Sequence, residues 1–193
     1  MRHGAVVLAA GAGTRLGGVA KALLRHGDAS YLECITRVAR AVGTDPILVV
    51  VGPPFGAAVA EHARARGLGV VDNPLPERGM ASSIALGFAA MSEYDVDAAW
   101  LWPVDHPSVQ VATLERLRAA LGDHDAALPR FGERGGHPPL VGRALWGALA
   151  ACADQPGGAR SVLASARAIR VDVDDGGVIR DVDTPADRAR LSS

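Results

Sequence analysis

The feature that most constrains this chain is the stretch 5–21, AVVLAAGAGTRLGGVAK, in which an unbroken apolar run passes directly into a glycine-rich loop. Residues 5–10 show no polar alternation, the pattern of a central strand covered on both faces. A turn built on Gly11, Gly13 and Gly17 directly after such a strand exposes backbone N–H groups in a concave nest suited to anions. Lys21 closes the loop and is the only lysine among 20 basic residues, every other one being arginine. Where arginine is the default cation, a single compact ammonium asks for a local reason, and a point charge on phosphate oxygens supplies one. The glycine spacing alone fits a dinucleotide loop as well as an ordinary turn. A dinucleotide site wants an acidic residue at the end of the second strand to grip the ribose, whereas this second strand ends Val-Val-Gly-Pro-Pro, which favours mononucleotide phosphate binding.

The rest of the chain alternates strands and helices. Ser30 and Glu33 have capping-box spacing before an apolar stripe at helical intervals (Leu32, Ile35, Val38, Val42) that stops at Gly43. Strands are predicted at 47–51, 70–71, 98–102 and 126–128, and helices at 57–66, 80–91, 111–121, 144–153 and 159–166. Residues 169–173 and 178–182 flank Asp-Asp-Gly-Gly and read as a β-hairpin. Thr184 and Pro185 are placed to open a last helix. The order predicts an α/β fold with a largely parallel sheet, in which ligands bind outside the carboxyl ends of the strands.

With 193 residues, 49% of them hydrophobic, the chain suits a single domain over 1–193. Near-balanced charge and the lack of a basic block exclude a polymer nucleic-acid partner. Cys34 and Cys152 stand far apart and predict reduced thiols, with no zinc cluster or disulfide framework. No run reaches membrane-spanning length, and the first apolar stretch is too short for a signal peptide, so a cytoplasmic protein is expected.

Three features should gather at the strand ends: the 11–21 loop, residues 79–83 at the small-residue start of a helix, and Asp105 in a Pro-Val-Asp-His-Pro turn. Alone, Asp105 would be a turn or capping aspartate; beside a phosphate loop it becomes a candidate for Mg²⁺, which takes one or two carboxylates together with substrate phosphates. Asp181 and Asp183 alternate about Val182, and one of them could complete the metal site while the other caps the last helix. His106 and His137 suit turn or substrate contacts better than metal ligation, while His3, His26, His62 and His124 are expected on the solvated surface. Trp100, Trp102 and Trp146 are expected in the core.

These residues resemble a known family. LAAGAGTRLGGVAK is similar to the signature loop of the nucleotidyltransferases that act on molybdopterin, and the likeness continues through ERGMASSIALG, WPVDHPSV, RGGHPPLVGRALW, GGARSVL and DVDTPADRARL. Within that group the chain most resembles the molybdenum cofactor cytidylyltransferases, because Ala10 stands where the guanylyl enzymes usually have glycine. The resemblance implies a three-layer α/β/α Rossmann-like fold with a mostly parallel mixed sheet. It also implies Mg²⁺-dependent transfer of CMP from CTP to molybdopterin or a similar phosphorylated acceptor, with pyrophosphate released and a molybdoenzyme or its chaperone as the receiving partner. Residue by residue, Gly11, Gly13, Arg15 and Lys21 would bind the triphosphate. Gly79, Ser82 and Ser83, with Ala9 and Ala10, would line the nucleotide pocket. Asp105 and Asp183 would hold the metal, leaving Arg15, Lys21 and Asp105 as the catalytic group, and Gly136, His137 and Arg160 would face the acceptor. The chain departs from the family at Thr14, where serine is usual, and in Pro-Val-Asp-His-Pro, where Gly-Asp-Met-Pro is usual. Two other readings of the same loop are an NADP-linked oxidoreductase and a non-catalytic carrier of a pterin cofactor.

Overall fold

The computed structural model describes residues 1–184, 186, 187 and 189. Its strands are β1 (His3–Leu8), β2 (Arg25–His26), β3 (Ala29–Ser30), β4 (Ile47–Val51), β5 (Gly69–Asp72), β6 (Ala98–Pro103), β7 (Ala126–Phe131), β8 (Arg134–Gly135), β9 (Leu140–Gly142) and β10 (Ala168–Asp172). Its helices are α1 (Tyr31–Ala41), α2 (Gly56–Arg64), α3 (Met80–Met91), α4 (Val111–Leu121), α5 (Trp146–Ala150) and α6 (Gly158–Ser165). The main sheet has eight strands in the order β10-β7-β9-β6-β1-β4-β5, with β8 paired to β7. β1 is central, parallel to β4 on one side and to β6 on the other, and β9 runs antiparallel between β6 and β7.

Because side chains alternate along a strand, β1 feeds two cores. Ala5 and Val7 point to one face with Val49, Trp100 and Trp102, under α1, α2 and α4. Val6 and Leu8 point to the other with Val50, Leu101, Phe88 and Trp146, under α3, α5 and α6. All six residues of β1 are buried, the outcome expected of a strand with no polar alternation. α3 lies close on the strand because Gly87 has no side chain: a Cβ there would stand 2.3 Å from Val6 Cγ1. Among the described residues no helix is long and apolar enough to cross a membrane.

α1 begins as the capping-box spacing predicts. Ser30 Oγ accepts from the Glu33 amide at 3.1 Å, and the Glu33 carboxylate accepts from the Ser30 amide at 2.6 Å. The same carboxylate takes two hydrogen bonds from Arg66, which ties α1 to the end of α2. The backbone bond from Ser30, followed by the Arg66 contact, holds the Glu33 pKa down at about 2.

Some expectations are corrected. The hairpin over 169–182 does not form. β10 pairs parallel with β7 at the sheet edge, and the chain then makes a 3₁₀ turn over Gly176–Ile179 instead of a return strand. Asp175 decides this. Its buried carboxylate accepts from the Gln110 amide (2.9 Å), the Thr113 hydroxyl (2.7 Å) and the Gly177 amide (2.9 Å), fastening the turn to the start of α4 while Val178 and Val182 enter the core. His3 is 3% exposed and meets Trp100 edge-on, so it is a core residue and not a surface one. His62 is half-buried, its ring nitrogen engaging Ser30 Oγ at 2.9 Å. Thr184 and Asp187 exchange hydrogen bonds as at a helix start, Asp187 N donating to Thr184 Oγ1 at 3.2 Å, but Pro185 and most of the expected last helix lie outside the described residues.

Candidate active site

After β1 the chain passes through Ala9 and Ala10 into the glycine loop. Gly13 has φ 58°, and a Cβ on it would lie 2.1 Å from the Val19 carbonyl oxygen, so the turn requires glycine there on both counts. The turn is closed by hydrogen bonds from Leu16 N and Gly18 N to the Gly13 carbonyl. The amides of Gly11, Ala12 and Gly13 have no backbone acceptor among the described residues, which leaves these donors available to an anion.

Lys21 follows in a short 3₁₀ turn, Lys21–Leu23, and reaches back across the strand ends. Its Nζ donates to Asp105 Oδ2 at 3.0 Å and makes a short contact with Asp183 Oδ1. Arg15 donates from the other side to Asp183 Oδ2 at 2.7 Å. The Lys21 side chain is 15% exposed and those of Asp105 and Asp183 are 21% and 27% exposed, whereas that of Arg15 is 75% exposed. Burial works against the Lys21 ammonium, but the two carboxylates outweigh it and raise its pKa, so it stays charged. The hydrogen bond from Lys21, reinforced by Arg15, holds the Asp183 pKa below the usual carboxylate value.

Two backbone bonds and one from an indole hold the two carboxylates in place. Val104 N donates to the Leu8 carbonyl at 3.1 Å, the Trp102 indole donates to the His106 carbonyl at 3.0 Å, and Val182 N donates to the Asp105 carbonyl at 3.0 Å. Asp181, the alternative second carboxylate, is exposed.

These groups open onto a cavity of ≈ 390 Å³ that Ala9, Ala10, Gly11, Gly13, Gly79 and Ser83 also line. Ala10 is only 4% exposed, and its methyl lies 3.2 Å from where a Cβ on Gly52 would stand, so it packs towards β4. Ser82 is turned away from the cavity: its hydroxyl accepts from Asn73 Nδ2 at 2.9 Å and donates to the Gly79 carbonyl at 2.8 Å. Asn73, 2% exposed, also donates to Ser83 and so shapes the start of α3. Nothing in the sequence reading singled it out, although its place one residue past β5, before a proline, was the available signal.

A second cavity of ≈ 600 Å³ adjoins the first and is lined by His137 and Arg160. Gly136 lines neither cavity: a Cβ there would sit 2.5 Å from the Val178 carbonyl oxygen, so its role is close backbone packing. The His137 ring stands 5.1 Å from that of His106, and His106 Nε2 lies 4.0 Å from Asp105 Oδ1. Burial, with His106 adding to it, pushes the His137 pKa down to about 4.

An α/β/α sheet with an anion-binding glycine loop, a lysine and two carboxylates at its carboxyl edge defines a nucleotidyltransferase domain. The chain belongs to the MobA-like NTP transferase domain family, whose model matches residues 5–171. It is 31% identical over 198 residues to the nicotine blue oxidoreductase of Paenarthrobacter nicotinovorans, covering 96% of this chain and 94% of that one. It is 39% identical over 129 residues to the bifunctional IPC transferase and DIPP synthase of Rubrobacter xylanophilus, an alignment covering 65% of this chain and only 28% of that protein. The crystal structure of Rv0371c from Mycobacterium tuberculosis H37Rv superposes with a TM-score of 0.84 at 30% identity, covering 100% of this chain and 97% of that one. Rv0371c has also been crystallised in complex with manganese.

Proposed function

We propose that the protein transfers CMP from CTP to a phosphorylated acceptor of the molybdopterin kind, releasing pyrophosphate. The observation that carries this reading is the convergence of Lys21, Asp105, Asp183 and Arg15 on the cavity that Gly11 and Gly13 of the glycine loop also line. An acceptor phosphate oxygen attacks the α-phosphorus, the bond from that phosphorus to the β-bridging oxygen breaks, and pyrophosphate leaves. The nucleophile is already ionised at neutral pH, so the protein's task is to position two anions in line and to offset their charge. The amides of Gly11 to Gly13, the Lys21 ammonium and the Arg15 guanidinium do this for the triphosphate. Backbone groups of Ala9 to Gly11 and of the Gly79 to Ser83 turn would read the base.

The donor set suits a hard divalent cation. Both carboxylates already face one cationic atom, and Mg²⁺ binds through one or two carboxylates with phosphate oxygens completing its shell. Asp105 and Asp183 would hold it, and it would supply further neutralisation of the phosphates. The manganese complex of Rv0371c supports a divalent metal in this family.

The preference for CTP rests on the motif that contains Ala10. Because the Ala10 methyl packs towards β4, exclusion of a purine falls mainly to hydrogen bonds with the base. Incubating the protein with each nucleoside triphosphate, Mg²⁺ and molybdopterin should release pyrophosphate fastest with CTP, and equal or faster release with GTP would defeat the cytidylyl reading. A second reading, an NADP-linked oxidoreductase, is favoured by the likeness to the nicotine blue oxidoreductase. Against it stands the end of β4, where Gly52 to Phe55 offer neither a carboxylate for a ribose 2′-hydroxyl nor an arginine for a 2′-phosphate. Tight NADPH binding without CTP binding would decide for it.

A further inference from the structure

The second cavity differs in chemistry from the phosphate cavity. The two share Leu8, Met80 and Pro103 as a common wall. Beyond that wall the floor is bare sheet, Leu101 of β6 and Leu128 of β7, and Ile84 of α3 and Leu163 of α6 close the sides. Arg160, on α6, and Arg170, on β10, border this cavity and not the phosphate cavity. Neither arginine has a hydrogen-bond or ion-pair partner among the described residues. The contrast with the neighbouring strand is informative, since Arg130 on β7 is held by both oxygens of Asp172. His137, on the same wall, has a buried Nδ1 without a hydrogen-bond partner.

We propose that this cavity is an acceptor subsite for a molecule with an apolar, ring-sized body and two separated anionic groups. One of these carries the nucleophile into the phosphate cavity, and the other is held by Arg160 and Arg170. The inference rests on the nucleotidyltransferase reading and adds the chemical class of the acceptor. A polyol phosphate would set its hydroxyl groups against Leu8, Leu101, Leu128 and Leu163, where they lose water and gain no partner. A flat apolar body covers the same surface without that penalty, and the volume lies within the range of small-molecule sites. Two guanidinium groups from separate elements, with no carboxylate of their own, offer planar forks to an anion at the end of the ligand remote from attack. Arg170 is thereby a specificity residue that no motif in the sequence marks.

The test is calorimetric titration of the protein with a naphthyl phosphate that carries a sulfonate at the far end of its ring, and so has an apolar body with an anion at each end, against glycerol phosphate, which has one anion and no apolar body. This naphthyl phosphate is expected to bind saturably and glycerol phosphate at least tenfold more weakly. The double variant Arg160→Ala/Arg170→Ala should weaken naphthyl phosphate at least tenfold, with Arg170→Lys retaining part of the affinity. Both side chains lie free of intramolecular bonds, so the variants should keep the fold. Glycerol phosphate binding as well as naphthyl phosphate, or naphthyl phosphate binding undiminished in the double variant, would overturn the subsite. CTP titrated in parallel separates the two readings. A protein that binds naphthyl phosphate through the arginines but does not bind CTP keeps the subsite and loses the nucleotidyltransferase reading, whereas one that binds CTP without any dependence of naphthyl phosphate on the arginines loses the subsite alone.

Discussion

Lys21 and Asp105 meet although 84 positions separate them, the ammonium donating to the carboxylate at 3.0 Å. Sheet register brings them together. β1 and β6 are parallel neighbours, His3 beside Ala98 and Leu8 beside Pro103, so the loop after one strand and the turn after the other open on the same edge. Asp183 joins them through the backbone bond of Val182 to Asp105.

Replacing Lys21 with alanine should lower kcat/KM by about 10²–10³-fold, the usual effect of removing one preorganised electrostatic group. The protein should still fold, at a cost of about 1–3 kcal/mol for the lost charged hydrogen bonds. Lys21→Arg should not restore activity, because a planar fork cannot replace a compact ammonium between two carboxylates. Pyrophosphate release and thermal unfolding of the two variants check this, and an active alanine variant would sink the assignment.

Asp105→Asn and Asp183→Asn should each weaken Mg²⁺ binding and abolish most metal-dependent turnover. The Asp183 pKa is lowered by Lys21 and Arg15, so its contribution to stability is present above the unfolded-state value and is lost as pH falls through its lower folded value. Metal titration followed calorimetrically reads the first effect. A nucleotide complex with the metal remote from Asp105 would reject the pair.

His137 should make the protein acid-sensitive well above the carboxylate range. The unfolded chain takes up a proton near pH 6.5, whereas the folded imidazole resists it down to about 4, so stability falls as pH drops between these values and levels off below. At about 1.4 kcal/mol per unit the full effect is on the order of 3 kcal/mol. His137→Gln should flatten that part of the stability curve in urea titrations between pH 7 and 4. An unchanged slope would show that the buried ring is not responsible.

Gly136→Ala should destabilise by about 1–3 kcal/mol, as overpacking typically does, because its new methyl would meet the Val178 carbonyl oxygen at 2.5 Å. That carbonyl also accepts from His137 N at 2.7 Å, so the acceptor wall should shift with it. A variant with wild-type melting behaviour would contradict the packing.

The central strand, the glycine loop, the capped α1 and the gathering of Lys21 with Asp105 were legible because each depends on local pattern or on a general rule about strand ends. Asp183 was legible only as one of two choices, since alternation about Val182 could not say which carboxylate faces inward. β9 escaped notice because three residues between Pro139 and Arg143 are too short to show a period. The valines of 171–182 suggested a hairpin because burial on one core looks alike in a strand and in a 3₁₀ turn. What separates them is the pair of donors, the Gln110 amide and the Thr113 hydroxyl, that Asp175 satisfies at the start of α4, a long-range fact. His3 was misplaced for a similar reason, its position at the first residue of β1 being what buries it.

The central position of β1 has a consequence for how the chain is made. On a ribosome β1 emerges well before one of its two partners, β6, which begins only at Ala98. Until then a strand apolar on both faces offers a row of unsatisfied amides and carbonyls along one edge, a template for pairing with another chain. Pairing so distant in sequence also slows closure of the sheet. Yield of folded protein should therefore respond to synthesis temperature and to chaperones that shield exposed strands more than its final stability would suggest.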